Sequence, residues 1–234
     1  MAFALSVGGA RADDILSGTF SSSKDGPGNF WVITVGGYGG AEPVFPGAKN
    51  YTFMARPIVD IRQGGSPEWL GLPNDALSLT LFETENFRIG AAGDLLWNRN
   101  HSDESGIYGL HDIDYTLQLG GFAEFYPAPF LRTRVELLQG VTGTEGFTAN
   151  LMADYVYRAS HDWLFTIGPR LQFADTQYVS SFFSVSPVEA AISRLSPFHA
   201  SGGLDSAGVD ATVRYWWNDN ISIRGFIEWD RLVG

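Results

Sequence analysis

The sequence predicts an all-β fold: an antiparallel transmembrane β-barrel of the outer-membrane type, with ten strands in this chain and twelve when intact. Three observations predict it. Apolar and polar residues alternate with period two in segment after segment, as they do when successive side chains face opposite sides of a sheet. Most of these segments are near 11 residues long, the length of a tilted strand that crosses a bilayer (about 9–11) and twice that of an ordinary soluble strand (about 5–6). The connections alternate between tight turns and long loops, the arrangement of barrels with short periplasmic turns and long outer loops.

The chain opens with MAFALSVGGARA, an apolar run followed by Ala10-Arg11-Ala12 as an A-x-A cleavage site and then Asp13-Asp14, so residues 1–12 read as the end of an export signal. Residues 13–29 form an N-terminal segment with room for one more strand near Ile15 to Phe20. Residues 30–234 are the barrel. Looser alternation marks strands at 30–40 and 51–62, and a short one lies at 77–82. Regular strands follow at 87–97, 115–125, 130–140, 147–157, 163–173, 207–217 and 221–231. In 130–140, Leu131, Thr133, Val135 and Leu137 alternate with Arg132, Arg134 and Glu136. In 221–231, Ile221, Ile223, Ile227 and Trp229 alternate with Ser222, Arg224, Glu228 and Asp230.

Tight connections fall at Glu83–Asn86, Tyr126–Pro129, Ser160–Asp162 and Asn218–Asn220, and long ones at 98–114, 141–146 and 174–206. Aromatic residues stand at both ends of the apolar face. Phe87, Phe125, Tyr155, Tyr157, Trp163, Tyr215 and Trp217 lie beside the tight turns, and Trp97, Tyr115, Phe147, Phe173 and Trp229 beside the long loops. These read as the two girdles that sit between headgroups and acyl chains. The opposite face carries the charges. Arg88, Asp94, Glu124, Arg132, Arg134, Glu136, Asp154, Arg170, Asp210, Arg214, Arg224, Glu228 and Asp230 are expected to form a structural ionic network in the lumen, with Arg56, Asp60, Arg62 and Arg158 on the same face.

The strand at 221–231 leaves a tight turn and runs outward, so a closing C-terminal strand is expected beyond it. Counting back by strict alternation leaves 30–40 running inward and opposite to 221–231, so that direct pairing of those two strands would close a ten-stranded barrel.

Composition narrows the function. There is no cysteine, which removes disulfides and thiol chemistry. With 15 basic and 26 acidic residues, a net charge of −11, the chain lacks the basic surface that nucleic acid requires. His101, His111, His161 and His199 are scattered without metal-ligand spacing, so neither a metal nor another cofactor is expected. His111 beside Asp112 and Asp114 offers an acid–base pair but no second set opposite it, so an enzyme is not expected. Ser186-Pro187-Val188-Glu189 has the form of a capping box with proline at the first helical position, which predicts a short helix over 187–194 in the longest loop.

Three stretches carry a resemblance to a known family: Gly109-Leu-His-Asp-Ile-Asp114, Phe182-Phe-Ser-Val-Ser-Pro187 with Ala190-Ala191, and Asp230-Arg-Leu-Val-Gly234. They resemble the MipA/OmpV family of MltA-interacting outer-membrane proteins, and the likeness runs from about Phe30 onward. Phe182 and Ser184 depart from the family's tyrosine and glycine there. The resemblance implies a non-enzymatic protein of the outer membrane, in contact with its lipid, that acts as a scaffold or adaptor for a lytic transglycosylase and a murein synthase. The alternatives are a small-solute channel, for which the ionic lumen would serve as lining, and a surface adhesin.

Overall fold

The alternation is realised as strands of one sheet in the computed structural model, which describes residues 2–7, 31–63, 69–101, 105–218 and 221–233. The strands are β1 (Ala2–Val7), β2 (Trp31–Pro43), β3 (Tyr51–Gln63), β4 (Leu77–Glu83), β5 (Phe87–Leu96), β6 (Thr116–Ala128), β7 (Leu131–Gly140), β8 (Phe147–Arg158), β9 (Trp163–Ala174), β10 (Gly203–Asn218) and β11 (Ile221–Leu232). Their order is β3-β2-β1-β11-β10-β9-β8-β7-β6-β5-β4, and every neighbouring pair is antiparallel.

The register brings opposite charges face to face: Arg88 with Glu124, Glu124 with Arg134, and Arg132 with Asp154. A slip of one residue would turn these groups outward and the aliphatic ones inward. On β7 the inward Arg132, Arg134 and Glu136 are buried, while the outward Val135 and Leu137 are exposed. The same inversion holds for Ile167, Leu171, Val209, Ile223 and Ile227, all exposed. Such a continuous apolar exterior is far beyond the patches that soluble monomers expose. The aromatic residues at the strand ends also face outward, with the Trp163 ring 4.7 Å from Tyr215 at one end and Trp97 5.7 Å from Tyr115 at the other. Among the described residues no helix is long and apolar enough to cross a membrane.

Three expectations are corrected. The chain has eleven described strands, not ten, because Ala2–Val7 adds one between β2 and β11. Its alternating large and small apolar residues suit a strand as well as a targeting signal. The strand anticipated near Ile15 to Phe20 lies outside the described residues. Direct pairing of 30–40 with 221–231 is replaced by two ladders through β1. That places β2 parallel to β11, running toward the long-loop end.

The direction of β2 has a structural cause. Alternation across eleven strands leaves the two outermost, β3 and β4, running the same way. Strict counting assumed that they turn at a common end, whereas the chain from β3 must return the length of the sheet before β4 begins. Residues 69–76 make this return on the inner face. Among the described residues β3 and β4 are not hydrogen-bonded to each other, so the sheet keeps two edges.

At the long-loop end the connection from β9 to β10 holds two helices, α1 (Thr176–Phe183) and α2 (Pro187–Ser193). The capping box that predicted α2 is formed, with the Ser186 hydroxyl accepting from Glu189 N–H and the Glu189 carboxylate accepting from Ser186 N–H. The helix α1, not anticipated, is capped by Asp175 and buries Tyr178, Val179 and Phe182.

The β8–β9 ladder is tightest at Gly168, where an added Cβ would lie 1.7 Å from the Ala153 carbonyl oxygen. Backbone cannot yield as a flexible side chain does, so Gly168→Ala should destabilise the fold by about 1–3 kcal/mol, the range of overpacking. Thermal unfolding monitored by far-UV circular dichroism measures it, and an unchanged midpoint would contradict this packing.

Candidate functional site

The inner face of the sheet is a charged interior. Arg132 on β7 is fully buried and meets three carboxylates: Glu124 on β6 at 2.8 Å, Asp154 on β8 at 2.8 Å, and Asp75 at 2.6 Å. Arg134, one inward position further along β7, reaches Glu124 at 3.0 Å and Glu136 at 2.7 Å, and donates to Ser78 Oγ at 2.6 Å. Arg88 closes on Glu124 at 3.1 Å and lies over the Trp69 and Phe122 rings. On the other side Arg170 of β9 bridges Asp154 at 2.7 Å and Asp210 of β10 at 3.3 Å. An isolated buried ion is very costly, and these are tolerable because each charge has an opposite partner.

The remaining expected members stand apart from this centre. Asp94 accepts from its neighbour's Leu95 N–H. Arg214 donates to Ser222 Oγ at 3.1 Å and lies over Trp216. Arg224 donates to the Gly71 carbonyl. Glu228 accepts from Asn74 Nδ2 at 3.4 Å, and Glu228 and Asp230 line a polar cavity of about 90 Å³ with Asn74, Asn150, Arg170 and Gln172. The Arg158 guanidinium lies over Trp216. The side chains of Arg56, Asp60 and Arg62 lie outside the described residues.

The centre of the site was missed in the sequence. Residues 69–76 run through the interior and are held from several sides. Trp69 Nε1 donates to Glu83 at the tight-turn end. Leu70 and Leu72 are buried against Tyr126, Val156, Leu164 and Trp216, and Leu70 N–H donates to the Tyr126 hydroxyl. Tyr38 of β2 donates to the Pro73 carbonyl at 2.8 Å. Ala76 N–H donates to Glu136 at 3.0 Å. Contacts with β2, with β6 through β11, and with Glu83 of β4 mean that the sheet is wrapped round this segment. Asp75 is its only charged residue. Its signal was thin: an apolar Leu-Gly-Leu-Pro run inside a connection that ought to be polar.

The long-loop end is closed by a second set of contacts. Buried Arg99 donates to the carbonyls of Phe182 and His111, the latter at 3.1 Å. Ile113 packs with Tyr178, Val179, Phe182 and Ala200. Glu189 of α2 accepts from both the backbone N–H of His111 and its Nδ1, each at 2.8 Å. Two of the stretches singled out in the sequence, 109–114 and 182–191, therefore meet at one carboxylate. Hydrogen bonds from Ser186 and then His111 hold the Glu189 carboxyl down to about 2. His101 does the same in lesser degree for Asp112, whose carboxyl is lowered by the His101 N–H and ring.

An antiparallel sheet with an apolar exterior, paired charges inside and looped helices at one end defines a class of β-rich proteins turned inside out relative to a soluble domain. The sequence comparison is more specific. Residues 35–234 match the family described as MltA-interacting protein MipA, and the chain belongs to that family. No curated protein and no solved structure matches the chain.

Two outcomes follow from this geometry. Replacing Arg132 by methionine leaves three carboxylates without their shared cation and should destabilise the protein by about 3–5 kcal/mol, the penalty for breaking a buried pair from one side; urea unfolding reads it, and a loss below 1 kcal/mol (about the worth of an exposed pair) would contradict the geometry. At the loops, the folded Glu189 carboxyl lies below its ordinary value of 4.5. Its stabilisation of the loop contact is complete above that ordinary value and is lost as pH falls through about 2. Pepsin cleavage within 105–115 and 184–202 should rise steeply as pH falls across this window in the native protein, and Glu189→Gln should flatten the dependence.

Proposed function

We propose that the chain is a transmembrane barrel of the outer membrane, closed around its charged interior, that serves as a non-enzymatic scaffold for peptidoglycan-remodelling proteins. The family description names MltA as the interacting partner. A lytic transglycosylase is thus the first partner to expect, with a murein synthase as a second. One observation carries the choice of a scaffold over an open channel: the interior is occupied by ion-paired side chains and by residues 69–76, so no through-passage is ready-made.

The membrane reading is supported by the exterior. Exposed Leu, Ile and Val side chains lie between two aromatic belts, and a charge placed among them would cost roughly 2–4 kcal/mol at the bilayer midplane. In this orientation the tight turns face the periplasm, where exposed Glu85 and Asp162 give a partner an acidic rim to read. Closure would bring β3 and β4 side by side as a parallel pair, removing the two open edges that hydrocarbon penalises.

Two experiments test this. The protein should be recovered in the outer-membrane fraction with heat-modifiable migration, and crosslinking in intact envelopes should capture a lytic transglycosylase; a folded soluble periplasmic pool with no such partner ends the proposal. Ile223→Arg should block membrane assembly far more than Arg224→Ile, because the first sets a charge in lipid while the second removes a donor to the Gly71 carbonyl. Equal effects would mean that the facing is reversed.

A further inference from the structure

We propose that residues 69–76 are a displaceable plug, latched by Asp75, and that its withdrawal opens a passage for ions and small hydrophilic solutes. The proposal rests on the barrel reading and adds a second state to it.

The segment is bound to the wall in an unusual way. Among the described residues its backbone–backbone hydrogen bonds are internal, from Gly71 N–H to the Trp69 carbonyl and from Asp75 N–H to that of Leu72. Among the described residues it joins no strand ladder. What holds it are side-chain contacts with the wall: Tyr38, Tyr126, Glu136, Arg134 and Arg224 at its peptide groups, Glu83 and Arg88 at Trp69, Glu228 at Asn74, buried apolar contacts of Leu70 and Leu72, and one ion-paired carboxylate. A segment that leaves a ladder must break a cooperative array of backbone bonds; this one would break separate contacts.

The wall is also arranged to survive the loss of Asp75. Arg132 keeps Glu124 and Asp154, and Arg134 keeps Glu124 and Glu136. At the network's centre the wall supplies the cations Arg88, Arg132, Arg134 and Arg170 and the anions Glu124, Glu136, Asp154 and Asp210. Opposite signs are therefore equal in number without the segment, and Asp75 is the added charge. A group needed to neutralise the wall would leave an unpaired buried ion on departure. Asp75 leaves a paired network facing the space that it vacates, a polar lining suited to hydrated solutes. The existing cavity beside Asn74 already extends that polar space above the latch.

Full-length protein in planar bilayers provides the test, with Asp75→Asn against the native residue. The native chain should be closed for most of the record, and Asp75→Asn should raise its open time by roughly tenfold, within the range of coupling expected when one latch is removed. A reducible bis-thiosulfonate crosslink between cysteines at 38 and 73, in a chain with no native cysteine, should hold the Asp75→Asn protein closed until reductant is added. Tethering also keeps the segment seated if the variant otherwise assembles poorly. Heat-modifiable migration before each recording reports the barrel separately. A heat-modifiable Asp75→Asn protein that stays closed after reduction overturns the plug while leaving the barrel standing; failure of heat modification in the native protein overturns the barrel on which the plug rests.

Discussion

The contact on which the interior depends is the one between the Arg132 guanidinium and three carboxylates that come from three different places in the chain. Glu124 and Asp154 belong to the strands on either side of β7, and Asp75 belongs to the segment inside the sheet. A planar guanidinium presents five donors in a fixed fork, so it can serve several acceptors at once without losing further rotational freedom for each. Lysine at this position would supply charge but not that geometry. Because all four groups are buried, removing Arg132 takes the shared cation from three buried carboxylates at once.

This contact ties together facts that otherwise look separate. An odd number of strands leaves β3 and β4 parallel, so the chain between them must cross the height of the sheet. In the proposed bilayer setting, crossing on the outside would put polar peptide groups into hydrocarbon, where nothing can satisfy them. Crossing inside gives them the wall's inward side chains, and Asp75 gives the wall a fixed point of attachment. The inside-out distribution of charge, the course of residues 69–76 and the filled interior follow from one another. For the proposed scaffold role the consequence is rigidity: the tight-turn end is braced from within by Trp69 and Glu83.

The strands were legible because the physics that makes them is periodic. Alternation as regular as that of Leu131 to Leu137, or of Ile221 to Asp230, has one solution in a sheet with two unlike faces, and α2 was legible because Ser186, Pro187 and Glu189 each have a specific task at a helix start. The interior segment was not. Asp75 follows Pro73 and Asn74, a combination that reads as a surface turn, and its partners Arg132 and Arg134 lie nearly sixty positions away. The helix α1 escaped for a similar reason, since Val179, Phe182 and the ring of Tyr178 show a helical face only once Ile113 and Ala200 are there to meet it. Local pattern reports which way a side chain points; it does not report what arrives from elsewhere to meet it.

The central claim is that Asp75 is bound to the wall through Arg132, and a double-mutant cycle measures that coupling directly. Stability is determined for the native protein, Asp75→Asn, Arg132→Gln and the double variant by urea unfolding in the same detergent or lipid. The account predicts that the double variant is more stable than the sum of the single losses implies, with a coupling of about 1.5 kcal/mol or more, as found for groups in one buried network. Losses that add to within about 0.5 kcal/mol, the behaviour of distant independent sites, would mean that the segment does not sit where Arg132 can hold it.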